Sequence, residues 1–254
     1  MKALSLRPED VHRGALVLVN ASAPLHGEPG RGRLCPVPGR PDVLLDRTAA
    51  RCLHRALCAA GAGGRITVAS GYRTAQEQRR LYDGSLRENG RAFTMRFVAK
   101  PGHSEHQTGL AADLAENAPT IDPVCPAFPD AGACAAFRRL APQYGFVLRY
   151  PADKPPVTGI AHEPWHFRYV GTPHAAIMEA RGLVLEEYLA LLRTHPYGAR
   201  PLRYRAGGQG YEISYLPAVG RPAVLPVPEG VLLSASGDNL DGYILTARRV
   251  DTHG

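Results

Sequence analysis

Short apolar runs bounded by glycine and proline alternate with helical segments along most of this chain, and that interleaving limits the fold more than any other feature. "RITVAS" (65–70), Leu110–Leu114, "FVLRY" (146–150) and "HFRYV" (166–170) read as strands. Asp46 is placed to cap a helix running to about Ala60, with Leu53 and Leu57 on one face and "GAGG" to end it. Thr74, with Glu77 three residues on, makes a capping box and predicts a helix to about Glu88. Residues 131–144 read as a helix stopped near Gly145. Thr172 as cap with Pro173 at the first position starts another, and a last helix covers about 185–194. Residues 15–19 read as a short buried strand or an extended arm, and 21–45, rich in proline and glycine, as irregular structure. The class these elements predict is α+β: an antiparallel sheet with flanking helices.

After Pro196 the pattern changes. "LRYRAGGQGYEISYL", "GVLLSAS" and "GYILTARRV" alternate without helical spacing, which predicts a small antiparallel β unit. The expected division is therefore 1–195 for the main domain and 197–254 for a β appendage of unknown role, within a length of 254 residues that suits one large domain plus an addition.

Charge and cysteine usage narrow the function. The formal net charge of +7 is spread without a basic run, so it implies attraction to anionic surroundings and no nucleic-acid code. Five cysteines, none in a CxxC pair, argue against a cysteine zinc site and against a complete disulfide framework. Cys125 and Cys134 are close enough in sequence to pair across a loop, but free thiols in a reducing compartment are the preferred reading. The N-terminus carries acids where a signal peptide needs an apolar run, and no stretch has the length of a membrane span; a cytoplasmic location is expected.

Chemistry concentrates in "GHSEHQTGLAAD" (102–113). On a helix, His106 and Asp113 would lie two turns apart, about 10 Å, too far to share a metal. A loop bending at Gly109 into the strand Leu110–Leu114 brings them closer. A second cluster, "HEPWHFRYVG" (162–171), carries Glu163 and His166, with Pro164 permitting a tight turn. If its strand lies beside Leu110–Leu114, His106, Asp113 and His166 meet. Two imidazoles and a carboxylate suit zinc with the fourth position open to water, the catalytic type of site. Glu163 would then take the water's proton. Arg73, at the end of a strand and just before a capped helix, is placed either to bind a carboxylate or developing oxyanion, or simply to form a surface ion pair. His12, His26, His54, His162, His174, His195 and His253 read as packing or surface residues, and His103 has no evident ligand geometry.

Taken together, these segments resemble the D-Ala-D-Ala metallopeptidases of the VanY and VanXY type. The pattern SxHxxGxAxD is met by Ser104, His106, Gly109, Ala111 and Asp113, and ExxH by Glu163 and His166 with Trp165 between them; "SGYR" is followed by Gln78. The likeness covers roughly residues 12–195 and leaves the β appendage outside. It implies the fold shared with lysostaphin-type peptidases and the hedgehog domain. It also implies a zinc enzyme removing the terminal D-alanine from peptidoglycan precursors, with or without D,D-dipeptidase activity on D-Ala-D-Ala itself, in support of glycopeptide resistance. Zinc would sit on His106, Asp113 and His166, with Glu163 as base, Arg73 near the scissile carbonyl, and Gln78 and Ser104 near the substrate's carboxylate. Ser70 and Trp165 complete the expected substrate contacts; Ser70 offers a hydroxyl and no acid, which favours a long precursor over a dipeptide bearing a free ammonium. Three readings compete: an L,D-carboxypeptidase or wall endopeptidase on the same scaffold, a non-catalytic zinc-stabilised binding module, and glycan or protein binding through 197–254.

Overall fold

The computed structural model describes residues 2–250; Met1 and residues 251–254, His253 among them, lie outside the described residues. The chain forms two compact units, Val19–Val184 and a second that joins Met1–Leu18 to Leu185–Gly254. It opens with strand β1 (Lys2–Leu6), and residues 16–19 are buried but not a strand, so the extended arm is what forms there.

The larger unit starts with a correction. Residues 21–45 are not wholly irregular: β2 (Leu34–Val37) and β3 (Arg40–Asp46) make a two-stranded hairpin turning at Gly39. The prolines masked it. Both strands are edges, and Pro36 falls beside a register irregularity, the two settings in which a strand tolerates proline.

Helix α1 (Arg47–Ala59) follows as expected. The Asp46 carboxylate accepts from the amides of Thr48 (2.9 Å) and Ala49 (3.3 Å), and Ala49, Ala50, Leu53 and Ala56 form its buried stripe. Strand β4 (Ile66–Ser70) leads to α2 (Ala75–Glu88), whose capping box is complete: the Thr74 amide donates to Glu77 at 2.8 Å and the Thr74 hydroxyl accepts from the Glu77 amide at 3.2 Å.

Then come α3 (Gly90–Phe97), β5 (Ala111–Glu116), α4 (Gly132–Leu140) with a 3-10 extension to Tyr144, β6 (Phe146–Tyr150), the short α5 (Pro155–Thr158), β7 (Glu163–Tyr169) and α6 (His174–Arg181). At α6 the cap is Pro173, not Thr172, and no side chain caps the helix.

Strands β4, β5, β7 and β6 form, in that order, a four-stranded antiparallel sheet. One face carries the apolar core: Phe167 meets Phe137 and Phe128 edge to face at 5.0 and 5.4 Å. Alternation turns His166 to the other face, where it pairs in register with Asp113.

The second unit contains α7 (Leu185–Arg193), β8 (Leu202–Ala206), β9 (Gln209–Pro217), β10 (Ala223–Val227), β11 (Val231–Gly237) and β12 (Gly242–Arg249). Strands β11, β12, β9 and β8 make one sheet, and β10 pairs with β1, from Lys2↔Val227 to Leu6↔Ala223. Leu6, Val11, Leu225, Tyr243 and Leu245 share its core. The unit thus begins at Leu185 and takes in the N-terminus, which differs from a boundary at 195; the local alternation of 197–254 carries no sign of a partner strand two hundred residues upstream. None of the candidate site residues belongs to it.

A chain cut after His195 is expected to be destabilised, because α7 packs on β9, the Tyr215 amide donates to the His195 carbonyl (2.9 Å), and β1 loses β10. Each large apolar side chain uncovered costs on the order of 1.5–3 kcal/mol. A thermal melt equal to that of the full chain would contradict this. Among the described residues, no helix is long and apolar enough to cross a membrane, and all five cysteines are free.

Candidate active site

His106 sits in a 3-10 turn, Glu105–Thr108, that ends at Gly109 in the left-handed region (φ 72°). The turn must stop there for two reasons. A side chain at Gly109 would be strained at that φ and would press on Leu34 (2.7 Å) and the Asp46 amide (3.2 Å). The Gly109 carbonyl also accepts from that amide, tying the turn to the start of α1. Gly71 has a related role: a Cβ there would collide with the Leu44 carbonyl, so only glycine lets β3 pass this close. The Gly71 carbonyl in turn receives the His106 ring at Nδ1 (2.6 Å), which leaves Nε2 facing Asp113 Oδ2 at 3.1 Å.

From β5, Asp113 also presents Oδ1 to His166 Nδ1 at 3.1 Å. One donor atom from each of His106, Asp113 and His166 lies within 4.8 Å of the others, and all three residues are buried. The chemistry of this set fits a divalent cation. Asp113 Oδ1 is buried and accepts no hydrogen bond, an arrangement that costs free energy unless a cation or proton shares it. Nitrogen, nitrogen and carboxylate oxygen are donors that zinc takes with a position to spare.

Electrostatics separate the groups. Burial works against the charge on Asp113, but His106 and His166 hold its carboxyl well below the usual range. Burial, aided by Arg73, pushes the His106 imidazole down, keeping a lone pair available. His166 is raised to about 9: burial opposes this, and the Asp113 and Glu105 carboxylates facing its two ring nitrogens win.

Glu163 lies beside them, with Oε2 3.6 Å from His166 Nδ1. Residues three apart on a regular strand point to opposite faces. Here the register between Leu148↔Phe167 and Tyr150↔Glu163 spends two residues of β6 against four of β7, and this irregularity between Glu163 and Phe167 returns Glu163 to the site. The expected turn before the strand is thus a bulge within it. Burial raises the Glu163 carboxyl to about 8, with His166 opposing and Asp113 adding to the shift; a cation on the neighbouring donors would draw it back down.

Arg73 is not a surface ion-pair residue. Its Nε donates to Ser70 Oγ (3.0 Å), and its two terminal nitrogens donate to Gln78 Oε1 (2.9 Å) and Asp113 Oδ2 (3.0 Å). Gln78 is locked from its other end, donating to the Ala99 carbonyl at 2.7 Å. Arg73, Gln78, Ser104, Glu163 and Trp165 line one cavity with His106, Asp113 and His166. Ser70 does not join that lining; its hydroxyl is engaged by Arg73. His103 bonds to the Asn20 carbonyl (2.7 Å), away from the donor set.

Glu105, Arg149 and Arg168 are site residues that the sequence motifs do not single out. Glu105 accepts from Arg149 Nε (2.8 Å), lies 2.9 Å from an Arg168 terminal nitrogen, and meets His166 Nε2 at 3.3 Å. Its carboxyl is held far below the usual range despite burial, because both guanidiniums face it. The signal for them in the sequence is an arginine within each of the apolar strands "FVLRY" and "HFRYV".

A buried His-Asp-His donor set lining a cavity, with a glutamate beside one imidazole and a guanidinium bonded to the shared carboxylate, is the arrangement of a metal-assisted hydrolase. Comparison with known proteins specifies which kind. The family described as VanY, D-alanyl-D-alanine carboxypeptidase, matches residues 43–172, and the chain belongs to this family of metallopeptidases. It is 44% identical over 191 residues to the bifunctional D-Ala-D-Ala dipeptidase and D-Ala-D-Ala carboxypeptidase VanXYC of Enterococcus gallinarum, covering 74% of this chain and 97% of that one. Among solved structures, the vancomycin resistance D,D-dipeptidase VanXYg, in complex with a D-Ala-D-Ala phosphinate analogue, superposes with a TM-score of 0.94 at 43% identity over 98% of this chain and 99% of that one. The D,D-pentapeptidase VanY from a VanB-type resistance cassette, in complex with Zn(II), gives 0.55 at 32% identity over 69% of this chain and 98% of that one.

Proposed function

We propose that this chain is a zinc-dependent D,D-peptidase that cleaves the terminal D-Ala-D-Ala bond of peptidoglycan precursors as a carboxypeptidase, acts on free D-Ala-D-Ala as a dipeptidase, and thereby supports glycopeptide resistance. The observation that carries it is the convergence of His106, Asp113 and His166 within 4.8 Å beside Glu163. His106 Nε2, an Asp113 oxygen and His166 Nδ1 would hold the metal. Bound there, zinc supplies Lewis-acid polarisation of a carbonyl and an acidified water.

The chain's own groups do the rest. Glu163, as carboxylate, takes the proton from the attacking water and delivers it to the leaving amine. Arg73, held by Ser70, Gln78 and Asp113, directs positive charge toward the carbonyl oxygen as negative charge develops on it. Gln78 and Ser104, both in the cavity lining, would receive the substrate's C-terminal carboxylate, and Trp165 in the same lining would supply an apolar contact. The test is D-Ala release from UDP-MurNAc-pentapeptide, from an L,D-terminated tetrapeptide and from free D-Ala-D-Ala, with and without a chelator. Release from the tetrapeptide alone, or release unaffected by the chelator, would overturn the reading.

Arg73→Lys is expected to keep zinc while kcat falls on the order of 10²-fold, since a lysine ammonium cannot grip three partners as a planar fork does. Zinc-loaded Arg73→Lys turning over at the wild-type rate would remove Arg73 from the reaction.

Substrate length follows from the cavity's acids. Its carboxylates are Glu105, Asp113 and Glu163, and each already faces His166, the first two also facing arginines. No uncommitted carboxylate in the lining meets a free ammonium, and leaving one poorly paired costs about 1–3 kcal/mol. We therefore expect kcat/KM on the pentapeptide to exceed that on the dipeptide roughly tenfold or more. Likeness over the full length to a protein described as a D,D-dipeptidase favours the opposite order. Measuring both substrates side by side decides between them, and equal or reversed efficiencies would reject the countercharge argument.

A further inference from the structure

Glu105 and His106 are neighbours in one 3-10 turn, yet they serve opposite sides of the site. His106 offers a donor atom to the metal cluster, whereas Glu105 reaches behind it to the far nitrogen of the other imidazole, Nε2 of His166, at 3.3 Å. An imidazole that gives its Nε2 proton to a carboxylate keeps a lone pair on Nδ1, the nitrogen that faces Asp113. His106 is arranged in mirror fashion, with Nδ1 on the Gly71 carbonyl and Nε2 turned inward.

The carboxylate is held in place by two arginines from the central sheet. Arg149 on β6 donates to Oε1 at 2.8 Å and Arg168 on β7 approaches the same oxygen at 2.9 Å, leaving Oε2 for His166. The side chains of Glu105, Arg149 and Arg168 are no more than 1% exposed. Burying three charges is costly, and an apolar trio of similar volume would stabilise the fold at least as well, so stability alone does not account for the group.

We propose that Glu105, clamped by Arg149 and Arg168, is a positioning residue that fixes the tautomer and ring orientation of His166 and so sets metal affinity. The inference rests on the metal reading above. In Glu105→Gln the arginines demand the amide oxygen, which turns the amide NH₂ toward His166 Nε2. That favours the Nδ1–H tautomer, in which the nitrogen facing the metal carries a proton.

The experiment measures apparent zinc Kd by chelator competition, the Co(II) absorption spectrum, and the ¹⁵N shifts of His166 in wild type, Glu105→Gln and Glu105→Asp, together with the metal-free melting temperature. Glu105→Gln should bind zinc roughly 10–100-fold more weakly, with an altered Co(II) spectrum and a shifted His166 tautomer, and Glu105→Asp should recover part of the affinity because it keeps the charge on a shorter arm. Unchanged Kd and spectrum in Glu105→Gln, or a lowered metal-free melting temperature with unchanged Kd, overturn the proposal and leave a structural ion group. Should Glu105→Gln not fold, Glu105→Asp alone decides: zinc binding at wild-type strength overturns the proposal, and weakened binding with an altered Co(II) spectrum supports it. Failure of the metal reading looks different, since wild type itself would then bind no stoichiometric zinc.

Discussion

His166→Ala is expected to lose bound zinc and peptidase activity together. His166 contributes one of three donor atoms, and its position comes from the sheet: it stands opposite Asp113 in the β5–β7 ladder, and its far nitrogen is held by Glu105. Structural zinc sites bind with roughly 10–16 kcal/mol shared over four ligands. Removing one of them should therefore weaken binding by about 3 kcal/mol, more than 100-fold. Two remaining donors, His106 and Asp113, cannot hold the ion against dilution. The measurement is zinc content after gel filtration, with D-Ala release assayed on the same sample and far-UV circular dichroism as the control for folding. Stoichiometric zinc in folded His166→Ala would refute the ligand assignment.

The second large effect separates metal binding from proton transfer. Glu163→Gln should retain zinc, because Glu163 is not among the three converging donors, while kcat falls on the order of 10²–10⁴-fold. The amide is isosteric but cannot accept the water's proton. The pH dependence should change as well. Burial raises the Glu163 carboxyl to about 8, a cation nearby lowers it, and only the carboxylate form accepts a proton. Wild-type kcat/KM should thus fall as pH drops through the pKa of Glu163, and residual activity of Glu163→Gln should lack that acid limb. Near-normal kcat in the zinc-loaded variant would assign the base to another group.

The features legible in the amino-acid sequence are local in cause. The Asp46 cap, the Thr74–Glu77 box and the short apolar runs of β4, β5 and β6 depend on residues within a few positions of one another, and all form as expected. Gly109 likewise announces the bend that separates His106 from the strand bearing Asp113. Elsewhere local chemistry points the wrong way: Pro36, Pro38 and Pro41 hide the β2–β3 hairpin, and Pro164 suggests a turn where β7 bulges.

Local residue patterns set the α+β class, the starts of α1 and α2, and the residue types able to bind zinc and move a proton. The tertiary structure decided which of those residues meet. The pairing of Asp113 with His166, the return of Glu163 through four residues of β7, the engagement of Ser70 by Arg73 away from the cavity lining, and the pairing of β1 with β10 all depend on how the strands bend and pair. So does the burial of Glu105 between Arg149 and Arg168. Charge burial and register are properties of strand neighbours, and which strands become neighbours is set by the free energy of the whole packed sheet. A window of a dozen residues, even one as informative as 102–113, does not contain it.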